Sequence, residues 1–176
     1  NIFGPKGCGK THLSNILKKK INVVYMIDAK NINNETISKF EKLDCLIIDN
    51  YAKNIDEKIF YSILNQLKQL DSYLLVNSIV PLGNIEFDLK DLRSRTESFV
   101  NLGIELPTDD LLRVIISKSF SDRQIDITPK VSEYIIKNIE RSYEKVFKFI
   151  KEIDDLSLSS GKSININLIK KVLLDE

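Results

Sequence analysis

Two rhythms of apolar residues divide the chain. In its first part, short and nearly unbroken apolar runs alternate with stretches whose apolar residues recur every three to four positions. The runs are Asn1 to Phe3, NVVYMID (Asn22 to Asp28), DCLIIDN (Asp44 to Asn50), SYLLVNS (Ser72 to Ser78) and FVNLGIEL (Phe99 to Leu106). Apolar runs without polar alternation predict strands buried on both faces, as in a parallel sheet covered by helices. Between them the spacing predicts a helix from about Lys10 to Lys20, a short one over ETISKFEKL (35–43) and a longer one over IDEKIFYSILNQLKQL (55–70). In the last of these, Ile55, Ile59, Ile63, Leu67 and Leu70 form a helical stripe.

After Pro107 the strand rhythm stops. Helices are expected at about Asp109–Ser121, Thr128–Asn138, Ser142–Leu158 and Asn165–Leu174, broken by ITPK (127–130) and SLSSGKS (157–163). The expected fold is therefore α/β: a parallel-sheet core over residues 1–106 and a small all-helical lid domain over residues 107–176.

Composition narrows the function classes. Apolar residues make up 43% and charged residues 29% of the 176, an ordinary globular mix. With 26 basic against 25 acidic side chains, the net charge of +1 supplies no dominant basic face for nucleic acid. The lysine run Lys18–Lys20 is read more simply as complementing a helix C-terminus. No apolar run approaches the roughly 18 residues that cross a membrane. No signal peptide is visible. Cys8 and Cys45 are too few and too isolated for a disulfide framework or a zinc site, so a cytoplasmic setting is expected. The chain opens at Asn1 rather than methionine, already inside its first strand, and is expected to lack its true N-terminus.

The strongest chemical signal is GPKGCGKT: Gly4, Pro5, Lys6, Gly7, Cys8, Gly9, Lys10 and Thr11. This is a complete G-x-x-x-x-G-K-[ST] loop between a strand and a helix, the setting in which backbone N–H groups converge on phosphate oxygens. Lys10 is expected to reach the β- and γ-phosphates, and the Thr11 hydroxyl to ligate Mg²⁺, so the expected cofactors are ADP or ATP with Mg²⁺. Cys8 is either a thiol sensitised by the helix N-terminus or, more simply, a small residue in a tight loop. His12, the only histidine, is read as structural.

A second signal is Asp49 after the aliphatic run Leu46–Ile48, where a P-loop protein places a magnesium-organising carboxylate. The next residue is Asn50, which holds hydrogen bonds but takes no proton near neutral pH. Asn50 is either a water-positioning residue or a turn residue ending the strand. On both readings the base is missing, and slow intrinsic hydrolysis is expected.

GKTHL (9–13), LIIDN (46–50), DLRSRTESFVNLGIELP (91–107) and VFKFIKEIDDLS (146–157) together resemble the bacterial replication initiator DnaA and its shorter paralogue Hda, which are AAA+ proteins. The resemblance runs essentially from Asn1 to Leu174, and its most specific part is the LRSR segment with its distance to ELP. Three features favour the regulatory paralogue: a second-to-third strand connection too short for the initiator's DNA-gripping insertion, an expected absence of a helix-turn-helix domain after Glu176, and Asp-Asn in place of two acids.

The resemblance implies an AAA+ core and lid, and a regulator that docks on ATP-bound initiator and promotes its hydrolysis in trans. It gives Arg95 the role of arginine finger, with a salt bridge at an exposed helix end as the alternative, and leaves Arg93 solvated or structural. Asn77 becomes a candidate γ-phosphate sensor. The implied partners are the initiator and, through a clamp-binding peptide N-terminal to the phosphate loop, the replicative sliding clamp; neither direct sequence-specific DNA binding nor a membrane is expected. Two positions depart from the family pattern. Ile79, Val80 and Pro81 stand where a DRPP-like segment is usual, and the lid's sensor arginine falls on Glu144, leaving Arg141, close to one helical turn earlier, as the candidate for nucleotide contact. The alternative readings are an autonomous ATPase of helicase-loader type and a nucleotide-dependent DNA-binding module.

Overall fold

Five parallel strands form one sheet in the order β2-β3-β4-β1-β5. The strands are β1 (Ile2–Phe3), β2 (Val24–Asp28), β3 (Cys45–Tyr51), β4 (Tyr73–Ser78) and β5 (Leu102–Gly103). The helices that join them are α1 (Lys10–Lys18), α2 (Asn34–Ile37), α3 (Glu57–Gln69) and α4 (Lys90–Glu97). This computed structural model describes residues 1–37, 40, 42–161 and 163–174. The chain divides into two compact units, Asn1–Glu105 and Leu106–Glu176. No helix among the described residues is long and apolar enough to cross a membrane.

The centre of the sheet is β3 beside β4. Side chains alternate across a strand, so Leu46 and Ile48 turn toward α3 and pack with Phe60, Ile63, Leu67, Val76 and Leu92. Asp49, of opposite parity, turns to the face where α1 begins. The alternation then breaks. Ile48 pairs with Val76 but Tyr51 pairs with Ser78, so β3 carries one more residue than β4 over this step. That is a β-bulge, which re-aims side chains and is frequent beside active sites. Asn50 takes the left-handed conformation at φ 56°, one that Asn adopts more readily than most residues. The extra residue returns Tyr51 to the α3 face, where its ring is buried 5.0 Å from that of Phe60.

The structure departs from the sequence reading in four places. Neither Asp49 nor Asn50 ends the strand, because the bulge carries β3 on to Tyr51. The fifth strand is Leu102–Gly103 rather than Phe99–Leu106, since its sole partner β1 offers a two-residue ladder. Helix α4 carries no apolar stripe, with Leu92 its only aliphatic residue, and no periodicity announced it. Helix α2 is the four-residue Asn34–Ile37; the rest of the expected segment includes Ser38, Lys39 and Glu41, which lie outside the described residues.

The second unit is the helices α5 (Asp109–Ser121), α6 (Pro129–Asn138), α7 (Tyr143–Ser160) and α8 (Ile166–Leu174). Thr108, Thr128 and Ser142 cap the first three, each hydroxyl accepting from the amide three residues on, and Pro129 opens α6. Leu112, Ile116, Phe120, Ile135, Phe149, Ile150 and Ile169 form its core.

Candidate functional site

The loop between β1 and α1 is shaped by close backbone approach. Gly4 sits at φ 153°, and a Cβ there would lie 2.1 Å from the Ile104 carbonyl oxygen, so the first position of the loop admits no side chain. The Gly4 amide donates to the Ser78 carbonyl (3.2 Å), fixing the loop to the end of β4. Pro5 and Lys6 are exposed, Gly7 and Gly9 half-buried, and Cys8 is buried. That burial favours the packing role for Cys8. Lys10 curls over the loop, its ammonium donating to the carbonyls of Gly4 (2.7 Å) and Pro5 (2.9 Å).

One turn into α1 the loop meets the strand ends. The Thr11 hydroxyl donates to Asp49 Oδ2 at 2.9 Å. Asp49, 6% exposed, also accepts at Oδ1 from Asn77 Nδ2 (2.9 Å) and from the Asn50 amide (3.1 Å). Asn77 is fully buried in β4 and donates its other proton to Ser14 Oγ (2.8 Å). The structure thus brings Lys10, Thr11, Asp49 and Asn77 together. It leaves the Asn77 Oδ1 acceptor buried without a partner, an atom that would accept from a water of a magnesium shell. A hydroxyl, a carboxylate and this open acceptor are an oxygen set suited to Mg²⁺, which keeps several waters and takes its remaining ligands from phosphate. The residues present fit the ion.

Two participants were not read from the sequence. Ser14 follows Lys10 and Thr11 by four and three positions, which places it on their helical face; that spacing could have found it. Asp28 had no local signal. It lies beside Asp49 in the register of β2 and β3, and its Oδ2 accepts from Asn50 Nδ2 at 2.8 Å. The Asn50 side-chain NH₂, and then the Lys30 backbone N–H, hold the Asp28 carboxyl below the usual carboxylate range. A carboxylate therefore stands one hydrogen bond from the position where the acid is missing.

Arg95 and Arg93 of α4 differ in their surroundings. Arg93 pairs with Glu97 at 3.2 Å, one helical turn on and well exposed. Arg95 has no carboxylate partner among the described residues; its guanidinium carbon lies 4.7 Å from the centroid of the Tyr61 ring on α3. The entry to α4 is held by the same helix: Glu57 accepts from the amides of Asp88 (3.0 Å) and Leu89 (3.0 Å), which keep its carboxyl below the ordinary glutamate range. In the second unit, Arg141 makes a 2.9 Å ion pair with Asp109, and Glu144 lies in the first turn of α7.

Residues 1–88 match the family described as RNA helicase, and residues 109–173 match the family described as Hda, lid domain. The chromosomal replication initiator protein DnaA of Buchnera aphidicola subsp. Baizongia pistaciae is 28% identical, covering 98% of this chain and 42% of that protein. The chain is thus similar, over nearly its whole length, to the DnaA/Hda family of AAA+ proteins. Its fold agrees with those of solved members. Domain III of the Thermotoga maritima replication initiation protein DnaA superposes with a TM-score of 0.77 at 18% identity, covering 99% of this chain and 82% of that one. AMPPCP-bound DnaA from Aquifex aeolicus gives 0.68 at 23%, covering 87% and 54%. The chain spans less than half the length of the curated DnaA proteins it matches (42–44%). Ile79 and Val80, just after β4, are both exposed.

Proposed function

We propose that this protein is a nucleotide-binding regulator of chromosomal replication initiation, which docks on an ATP-bound replication initiator and promotes hydrolysis of that ATP in trans. The observation that carries the reading is Arg95, a cation on the surface of α4 that no carboxylate among the described residues holds, while its neighbour Arg93 is paired. An arginine left without a counter-ion keeps its donors for a phosphate brought by another subunit. The short connection between β2 and β3 supports a regulator over an initiator with a DNA-gripping insertion.

In its own site the protein would hold ADP or ATP through the loop amides of Gly4 to Lys10 and the Lys10 ammonium. Thr11 and Asp49 would hold Mg²⁺, which supplies charge neutralisation at the phosphates. Asn77, bonded to Asp49, would register the γ-phosphate. Arg141 would reach nucleotide only by leaving Asp109. By resemblance, a segment upstream of the phosphate loop tethers the protein to the sliding clamp, in the cytoplasm, with no sequence-specific DNA contact of its own. The test is to follow initiator-bound ATP with clamp-loaded DNA, with and without the full-length protein, alongside turnover by the protein alone. Rapid loss of initiator ATP only when the protein is added supports the regulator; brisk turnover alone refutes it.

A second reading, an autonomous ATPase, is favoured by the match of residues 1–88 to a helicase family and by Asp28 beside Asn50. The two readings separate on one pair of variants. Asn50→Asp alone sets two carboxylates against each other and loses the hydrogen bond that orients the side chain at position 50, so little useful base is gained. Asp28→Asn with Asn50→Asp restores the hydrogen bond with its charge reversed. In a regulator whose base was lost at position 50, intrinsic ATP turnover should stay near the parental rate in the single variant. It should rise at least about tenfold in the double, a floor set below the 10² to 10⁴ that a well-placed general base contributes. In an autonomous ATPase that uses Asp28, the double variant should gain nothing.

A further inference from the structure

We propose that Tyr61 is the positioning residue of Arg95: its ring holds the guanidinium in one place on the surface of the first unit while leaving its N–H donors free. The inference rests on the regulator reading above and adds a residue to it.

An arginine that reaches for another subunit's phosphate faces two conflicting demands. Its long side chain carries about 2 kcal/mol of rotamer entropy, which is lost when it engages the transferring phosphate in the transition state unless it is ordered beforehand. The usual way to order an arginine, a carboxylate, occupies the N–H edge that must meet the phosphate. Arg93 shows that outcome, with its Nε–H committed to Glu97. An aromatic ring orders the cation through its charge and face, and spends none of the hydrogen-bonding edge. Tyr61 at 4.7 Å is placed to do this for Arg95.

The ring is itself held. Tyr61 is half-buried and packs against the core cluster that contains Phe60 and Ile63. It follows Glu57 by four positions, so the two share one face of α3. Glu57 binds the amides of Asp88 and Leu89 at the entry to α4, and Tyr61 meets Arg95 in the last turn of that helix. One face of α3 thus fixes both ends of the element that presents Arg95. Helix packing alone requires an apolar side chain at position 61; only holding a cation requires a π face there.

The test uses the full-length protein, initiator preloaded with labelled ATP, and clamp-loaded DNA. It compares the parent with Tyr61→Phe, Tyr61→Leu and Arg95→Ala over a range of protein concentrations, and measures each variant's own nucleotide affinity as a check on folding. Tyr61→Phe should stay within about twofold of the parent. Tyr61→Leu should lower the maximal stimulated rate about tenfold, the size of a partly desolvated cation–π contact, with the half-saturating concentration and nucleotide affinity unchanged. A Tyr61→Leu protein at or above the parental rate, or Tyr61→Phe falling as far as Tyr61→Leu, overturns the role of Tyr61 while loss in Arg95→Ala leaves the regulator reading standing. Parental stimulation by Arg95→Ala removes that reading itself. Should Tyr61→Leu fail to bind nucleotide, Tyr61→Met, also apolar and without a π face, takes its place under the same criteria. In the parent, the side-chain protons of Arg95 should show a ring-current shift by NMR; its absence also overturns the inference.

Discussion

Arg95→Ala is expected to lower stimulated hydrolysis of initiator-bound ATP by about 10³-fold or more, the lower end of what an arginine supplied in trans contributes. Arg93→Ala should stay within about twofold, because removing an exposed i,i+4 pair costs only a few tenths of a kcal/mol. Sequence neighbours with the same charge are therefore predicted to differ by orders of magnitude, on the strength of what each guanidinium touches: Glu97 for one, the Tyr61 ring for the other. Arg95→Lys should recover little, since an ammonium lacks the planar fork. The measurement is single-turnover decay of labelled initiator ATP, with each variant's own nucleotide affinity checked to be parental. Equal losses in the two arginine variants would point to bulk charge rather than to a finger.

Gly4→Ala is expected to cost the Asn1–Glu105 unit about 3 kcal/mol and to abolish tight nucleotide binding. Two effects of about 1–3 kcal/mol each combine: a φ of 153° that strains any residue with a Cβ, and a methyl group only 2.1 Å from the Ile104 carbonyl oxygen. Relief requires the Ile104 backbone to move. The Ile104 amide donates to the Phe3 carbonyl at 2.8 Å, so the β1–β5 ladder loosens with it. Gly161→Ala is the matched control in the other unit. It is also at positive φ (63°), but nothing lies within 4 Å of the added methyl, and about 1 kcal/mol of conformational strain is expected. Urea titration and nucleotide titration of both variants provide the comparison.

What could be read from the sequence was local in origin. The phosphate loop is one contiguous segment, the strands announced themselves by unbroken apolar runs, and the helices of the second unit carried both stripes and caps, so α5 appears at Asp109–Ser121 as expected. The features that escaped depend on partners far along the chain. The bulge at Asn50 arises because Tyr51 must face Phe60, a requirement set by α3 and not by the LIIDN run. Helix α4 has almost no apolar stripe because it is held through Leu92 and through polar contacts at its ends. Asp28 and Asn50 are 22 positions apart, and only the register of β2 on β3 brings them together. Within the site, Lys10, Thr11 and Asp49 were legible as types at familiar spacings. The hydrogen bonds that join Asn77 and Ser14 to them were not.

The two attachments of α4 to α3 also restrict how this lineage can tolerate changes in chain length. Glu57 and Tyr61 work together only because they are four residues apart on a continuous helix. Deleting or inserting one residue between them would turn one contact about 100° away from the other. Compensation by small shifts elsewhere would then fail, because α4 could keep its entry or its arginine in place but not both. Substitutions can drift along this helix, but a change in the count of residues across that single turn would cost one of the two attachments.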